Sequence, residues 1–164
     1  MDENNLHYSS DDRGVLFNKE KTVLIRAPGL LSGSYVVPAG VITICDEAFW
    51  KCSGLTEITI PETVTSMGKY AFCEREGLTS VAVPEGVAVI GDHTFMNCSK
   101  LASVTIPSSV TLIDQYAFFS CGRLESIIFE GTGAQWRAIE KGKEWSYSIP
   151  ATEVICTDGN IPLQ

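Results

Sequence analysis

The chain has 164 residues, 45% of them apolar and 20% charged, a composition that suits one folded domain and argues against a disordered chain. Its net charge of −8 makes a surface that repels phosphate backbones, so nucleic acid is not an expected partner. No apolar run approaches the roughly 20 residues that span a bilayer, and the acidic start Met1-Asp2-Glu3 lacks the basic and apolar regions of a signal peptide. The chain therefore reads either as cytosolic or as a mature or shortened form of a longer protein.

In chain order, residues 1–10 read as a fragment of an earlier repeat or a loose tail. Residues 15–17 and 22–25 are rich in Val, Leu, Ile and Phe. The polar stretch Asn18-Lys19-Glu20-Lys21 separates them, which predicts a hairpin. The first regular strand is expected over residues 35–37.

From there the sequence is periodic. Pro38, Pro61, Pro84 and Pro107 stand 23 residues apart, with no gap. Counting from each proline exposes further columns. They include Phe49, Phe72, Phe95, Phe118; Leu55, Leu78, Leu101, Leu124; and Ile58, Val81, Val104, Ile127. A fixed period of this length marks a solenoid, because each repeat buries its apolar set only against the equivalent set next door. In Leu55-Thr56-Glu57-Ile58-Thr59-Ile60 the alternation of Ile58 and Ile60 with polar neighbours predicts a half-buried strand. Pro61 ends it, having no N–H for a ladder. A second apolar stretch, residues 64–67, is expected to form the opposite wall. Lys69-Tyr70-Ala71-Phe72 reads as one helical turn, with Asp92 as an equivalent N-cap elsewhere. Beyond the repeats, Thr132 is placed to cap a short helix over 133–141 that turns Trp136 and Ile139 inward and stops at Gly142.

The pattern Leu-x-x-Ile-x-Ile-Pro-x-x-Val-x-x-Ile-x-x-x-Ala-Phe-x-x-Cys resembles the BspA-type leucine-rich repeats of bacteria, closely over residues 35–129. Both ends are similar to units of that family. The fold expected is a leucine-rich-repeat right-handed solenoid, β-rich, with parallel strands, short helical turns, an N-terminal hairpin and a C-terminal helical cap. Its organisation is an N-terminal partial repeat and hairpin over 1–34, four repeats over 35–129, and a cap over 130–164. The resemblance implies a secreted or cell-surface protein, adhesin-like, that binds a protein such as host matrix protein, or a glycan. A structural spacer in a longer surface protein is the alternative. Gly40, Thr63, Gly86 and Ser109 replace the Asn or Cys of commoner leucine-rich repeats, so no side-chain ladder is expected at that turn.

Few residues suggest chemistry. There is no CxxC pair, no phosphate loop and no triad motif, so neither an enzyme nor a cofactor or metal site is expected. Cys52, Cys98 and Cys121 share a column in which Arg75 stands between the first two. They read as packed thiols, or Cys98 and Cys121 as a disulfide between adjacent coils. The Arg75 loop is expected to turn outward. His93 falls in a variable column with Glu47, Tyr70 and Tyr116, and Asp46, Asp92 and Asp114 look like caps. The candidate binding surface is the concave strand face. Thr56, Glu57, Thr59, Thr79, Ser80, Ser103, Thr105, Glu125 and Ser126 alternate there with buried residues and must point outward.

Overall fold

The protein, described by a computed structural model over residues 7–163, is a β-solenoid of about six turns with very little helix. The expectation for residues 1–6 lies outside the described residues. At the N-terminus β1 (Tyr8–Ser10), β2 (Leu16–Asn18) and β3 (Val23–Arg26) form an antiparallel meander. The predicted hairpin is β2–β3. Residues 8–10 are thus an added strand and not a tail. Asn18 builds the hairpin turn: its Oδ1 accepts from the backbone N–H groups of Thr22 and Val23 at 2.8 and 2.9 Å.

The repeats then alternate between two walls. One wall holds β4 (Gly33–Val36), β6 (Leu55–Thr59), β8 (Ser80–Ala82), β10 (Ser103–Ile106) and β12 (Ser126–Phe129). The other holds the two-residue strands β5 (Thr43–Ile44), β7 (Ser66–Met67), β9 (Val89–Ile90) and β11 (Leu112–Ile113), and it begins at β3, which pairs parallel with β5. The register keeps like residues together: Val104 lies beside Val81 and Ile127. Strand-face and opposite-wall side chains meet in one continuous apolar core.

The cap deepens the solenoid instead of merely covering it. Helix α1 (Gly133–Ala138) starts at Thr132, which forms a capping box with Gln135. It ends three residues short of the expected stop. Residues 140–141 instead make β13 (Glu140–Lys141), parallel to β11. Gly142 has a different reason from the one expected: a Cβ there would sit 2.2 Å from the Gln115 nitrogen, so the close approach of two coils demands glycine. β14 (Glu153–Cys156) adds a further parallel strand to β12, and β15 (Gly159–Pro162) closes it antiparallel. An antiparallel strand thus edges one wall at each end, β1 beside β2 and β15 beside β14, while the other wall ends on the parallel strands β4 and β13.

The predicted helical turns are not helices. Residues 46–51 and their equivalents form tight turns in which two positions per repeat have positive φ. Glu47, Tyr70, His93 and Tyr116 lie at φ 55–57°, and Lys51, Glu74, Asn97 and Ser120 at 57–58°. Non-glycine residues pay roughly 1–2 kcal/mol for this conformation. The compensation is directional: alternate N–H groups now point along the solenoid axis. Phe49, Phe72 and Phe95 donate to Ala71, Thr94 and Ala117 in the next coil at 2.8–2.9 Å. A helical turn would have spent those donors internally.

Two further expectations change. A partial side-chain ladder does exist after the prolines, for Thr63 Oγ1 lies 2.8 Å from both the Ala39 and Val41 carbonyls, which share its one proton, and Ser109 Oγ donates to Val87 at 2.9 Å. Hydroxyls supply it where other leucine-rich repeats use amides or thiols. Arg75, expected to turn outward, is fully buried while Glu74 and Glu76 are exposed. Both wall ladders are interrupted around its coil, between β6 and β8 and between β7 and β9. Elsewhere the column residue accepts a turn bond, as Cys52, Cys98 and Cys121 do from Leu55, Leu101 and Leu124. Among the described residues no such bond joins Leu78 to Arg75.

The cysteine column is a thiol ladder. Cys52, Cys98 and Cys121 are free and buried, and each donates its S–H to a carbonyl two-to-three dozen residues back (Pro28, Phe72 and Phe95) at 3.1–3.2 Å. Burial pushes the Cys98 thiol well up. Thiol titration of native protein should label half-buried Cys45 first and leave these three protected until denaturant is added. Rapid native labelling of all of them, or a Cys98–Cys121 bridge in non-reducing mass spectrometry, would contradict this arrangement.

Candidate functional site

The strand face places the predicted strip as alternation requires. Thr56, Glu57, Thr59, Thr79, Ser80 and Glu125 are exposed, while Ser103, Thr105 and Ser126 are half-buried. Ser103 lies directly beside Ser80 and Ser126, and Thr105 beside Ala82 and Ile128. The strip extends past its expected ends. Ser34 and Val36 align with Glu57 and Thr59, and Ile155 aligns with Ile128. Val36 is 66% and Ile155 40% exposed, so apolar side chains flank a hydroxyl centre. Val36 stands in the first repeat's strand, whereas Ser34 and Ile155 lie outside the regular repeats and are brought into line by strand pairing.

A second surface lies along the tight turns, at a column that varies too much in sequence to mark a site. His93 is not a solvated surface residue. Its ring stacks on Tyr70 at 4.5 Å and lies against Tyr116 at 4.8 Å, and its Nδ1 pairs with the Asp92 carboxylate. Tyr116 continues to Phe119 at 5.5 Å, and Phe119 stacks on exposed Tyr147 at 5.2 Å. The result is a half-buried aromatic ladder. The signal was present in the column Glu47, Tyr70, His93, Tyr116, but positive φ at these positions is what stacks the rings.

The ladder stops at Tyr70, because the preceding coil carries Glu47 in that place. A cleft of about 310 Å³ opens there, lined by Glu47, Trp50, Tyr70, Cys73, Glu74, His93 and Met96. Two cations rim it. Arg26 pairs with Glu47 at 3.1 Å and lies 6.0 Å from the Trp50 ring. Lys51 lies 4.3 Å from the same ring and 4.0 Å from Glu74. Burial, then the Glu74 charge, pushes the Cys73 thiol up to about 11, so it stays protonated at neutral pH.

The repeat geometry matches a known pattern. The BspA-type leucine-rich-repeat region model fits residues 32–138 in six copies. The chain belongs to the BspA-type leucine-rich-repeat family. Proteins of this family and fold are generally interaction modules. Among solved structures, a leucine-rich cell-surface protein of Faecalibacterium prausnitzii is 31% identical, with a TM-score of 0.64. That match covers 83% of this chain, which spans only 43% of the other's length. The leucine-rich repeat protein of T. pallidum (19% identical, TM-score 0.61, 87% of each chain) shares the fold. So does a pneumococcal vaccine antigen (23% identical, TM-score 0.58, 94% of this chain and 31% of that one). No curated protein matches this chain.

In this BspA-type chain the C-terminal aromatics serve the core. Trp136 and Trp145 are buried and stack edge-on at 5.9 Å, and Trp145 also closes the phenylalanine column against Phe118. Lys141 donates to the carbonyls of Trp136 and Ile139 at 2.8 and 3.0 Å, tying α1 to β13. A smaller pocket of about 250 Å³ beside it is lined by Trp136, Arg137, Lys141, Ile161 and Pro162. Among the described residues, no helix is long and apolar enough to cross a membrane.

Proposed function

We propose that this chain is a protein-binding module displayed at a bacterial cell surface, without catalytic activity or a cofactor of its own. Family membership and a cell-surface relative support the general reading. The observation that carries it is the repetition of outward side chains on the strand face, at fixed spacing, over a rigid core. Solenoids use such faces to lay an extended partner across several coils. The docking face proposed is the strip Thr56, Glu57, Thr59, Thr79, Ser80, Ser103, Thr105, Glu125 and Ser126. Its partner is a protein, of the host matrix for an adhesin, or a glycan.

The strip contains no aromatic or arginine residue, and such residues dominate binding hot spots. That composition favours a second reading, a spacer that positions other parts of a longer surface protein. Ser80→Arg with Ser103→Arg separates the two. Both side chains lie off the core, so stability should change by under about 0.5 kcal/mol per site. Binding to matrix proteins or glycans found by array screening should fall at least about tenfold, or 1.4 kcal/mol. Unchanged binding by the folded variant excludes the strip as the docking face, and no binder in the array favours the spacer.

A further inference from the structure

We propose that the cleft at the open end of the aromatic ladder is a docking site for a lysine or arginine side chain of a protein partner. The proposal rests on the binding-module reading but not on the strand strip.

The cleft exists because one column changes character. Tyr70, His93 and Tyr116 cover one another's faces, but the next position is Glu47. No ring continues the ladder past Tyr70, and a carboxylate stands where one would be. Trp50, Tyr70 and Met96 supply apolar walls, and Glu47 and Glu74 supply charge. This is what a long basic side chain needs: an aromatic face for the cation, apolar surface for the methylene stem, and a carboxylate for the head.

The chain already makes these contacts with its own residues. Lys51 and Arg26 each combine the Trp50 ring with one of the two cleft carboxylates. Their side chains are 60% and 45% exposed, and exposed pairs of this kind contribute little, so an incoming cation can replace them. The net charge of −8 further favours a basic partner by steering its approach. An acidic ligand would meet Glu47 and Glu74.

The test uses the whole chain and a synthetic octapeptide with four lysines in a Gly-Ser background, followed by amide NMR titration. Shifts should centre on residues 47–50, 70 and 74. Glu47→Gln with Glu74→Gln should raise Kd at least about tenfold, whereas Glu57→Gln with Glu125→Gln, an equal charge change on the strand face, should alter it less than about twofold. Lys51→Gln should lower Kd about threefold by freeing Trp50 and Glu74, beyond any effect of Lys100→Gln. A peptide with glutamine for lysine should not bind. These conservative variants leave the core untouched, and a thermal melt confirms folding. Equal losses in the two glutamate pairs, no gain from Lys51→Gln, or shifts centred elsewhere would overturn the proposal. A lysine peptide that binds nowhere also overturns it, yet leaves the binding-module reading to the serine variants.

Discussion

Truncating Phe95 to alanine is expected to cost about 3 to 5 kcal/mol of stability, as measured by denaturant unfolding. The ring is fully buried between Phe72 and Phe118, at 5.3 Å from each and within 7° of parallel to both. In a compact domain, neighbours from several directions could relax into the space. Here the rings above and below are held by backbone bonds to adjacent coils, from Phe72 to Thr94 and from Phe95 to Ala117. Collapse would require those coils to approach each other, which the ladder spacing forbids. The cavity therefore persists and contributes its own penalty. Because each coil touches only its neighbours, the defect also weakens the coupling between the two halves of the array. A broadened or two-step transition is the expected companion. A loss under about 1 kcal/mol would show that the phenylalanine column does not carry the core.

Arg75→Cys is expected to stabilise the protein by about 2 kcal/mol, raising the melting temperature by about 4 to 8 °C. Removing surface arginines usually changes little, but this one is fully buried, and none of its guanidinium nitrogens has a hydrogen-bond partner among the described residues. Its surroundings are the thiols of Cys52, Cys98 and Cys73 and the face of Phe49 at 5.9 Å. Thiols are weak acceptors, and one aromatic face offsets only part of the desolvation of a cation, which costs several kcal/mol. Burial accordingly lowers the Arg75 pKa. Cysteine restores the column's own residue, and with it the thiol-to-carbonyl contact seen at Cys52, Cys98 and Cys121. Arg75→Ala provides the contrast: it also removes the charge, but leaves space and no donor, so its gain should be smaller. A destabilised Arg75→Cys would mean that the guanidinium has found compensation the thiols and ring do not represent.

Much of the core could be read directly from the chain. Phe49, Phe72, Phe95 and Phe118 had to stack, because a repeat with no gaps puts equal residues at equal heights. The strip from Thr56 to Ser126 faces outward for the same reason, since strand alternation leaves its residues no other side. The limits of that logic appear where a residue departs from its column. Arg75 was expected to turn away from an apolar site, yet Leu78, the next buried position, follows within three residues, and the chain runs inward through Arg75 to reach it. The tight turns read as helical from Lys69-Tyr70-Ala71-Phe72 and the capping Asp92 of the next repeat. Helix and turn place the same alanine and phenylalanine inward, so periodicity could not separate them.

The sequence alone determined the repeat, the buried columns, the hairpin and the capped helix, because each depends on spacing along the chain or on contacts a few residues away. Only the tertiary structure decided where backbone donors go. Turn N–H groups bond to the next coil, which holds Tyr70, His93 and Tyr116 at positive φ and stacks their rings. Residues 140–141 leave the helix to pair with β11, and Ser34 and Ile155 join the strand face from outside the repeats. Each of these depends on a partner some two dozen residues away, whose position is set by the stack and not by local preference. The cleft beside Trp50 belongs to the same class. It arises from what the neighbouring coil lacks, an aromatic ring at Glu47, and that vacancy acquires a shape only when the coils are superposed.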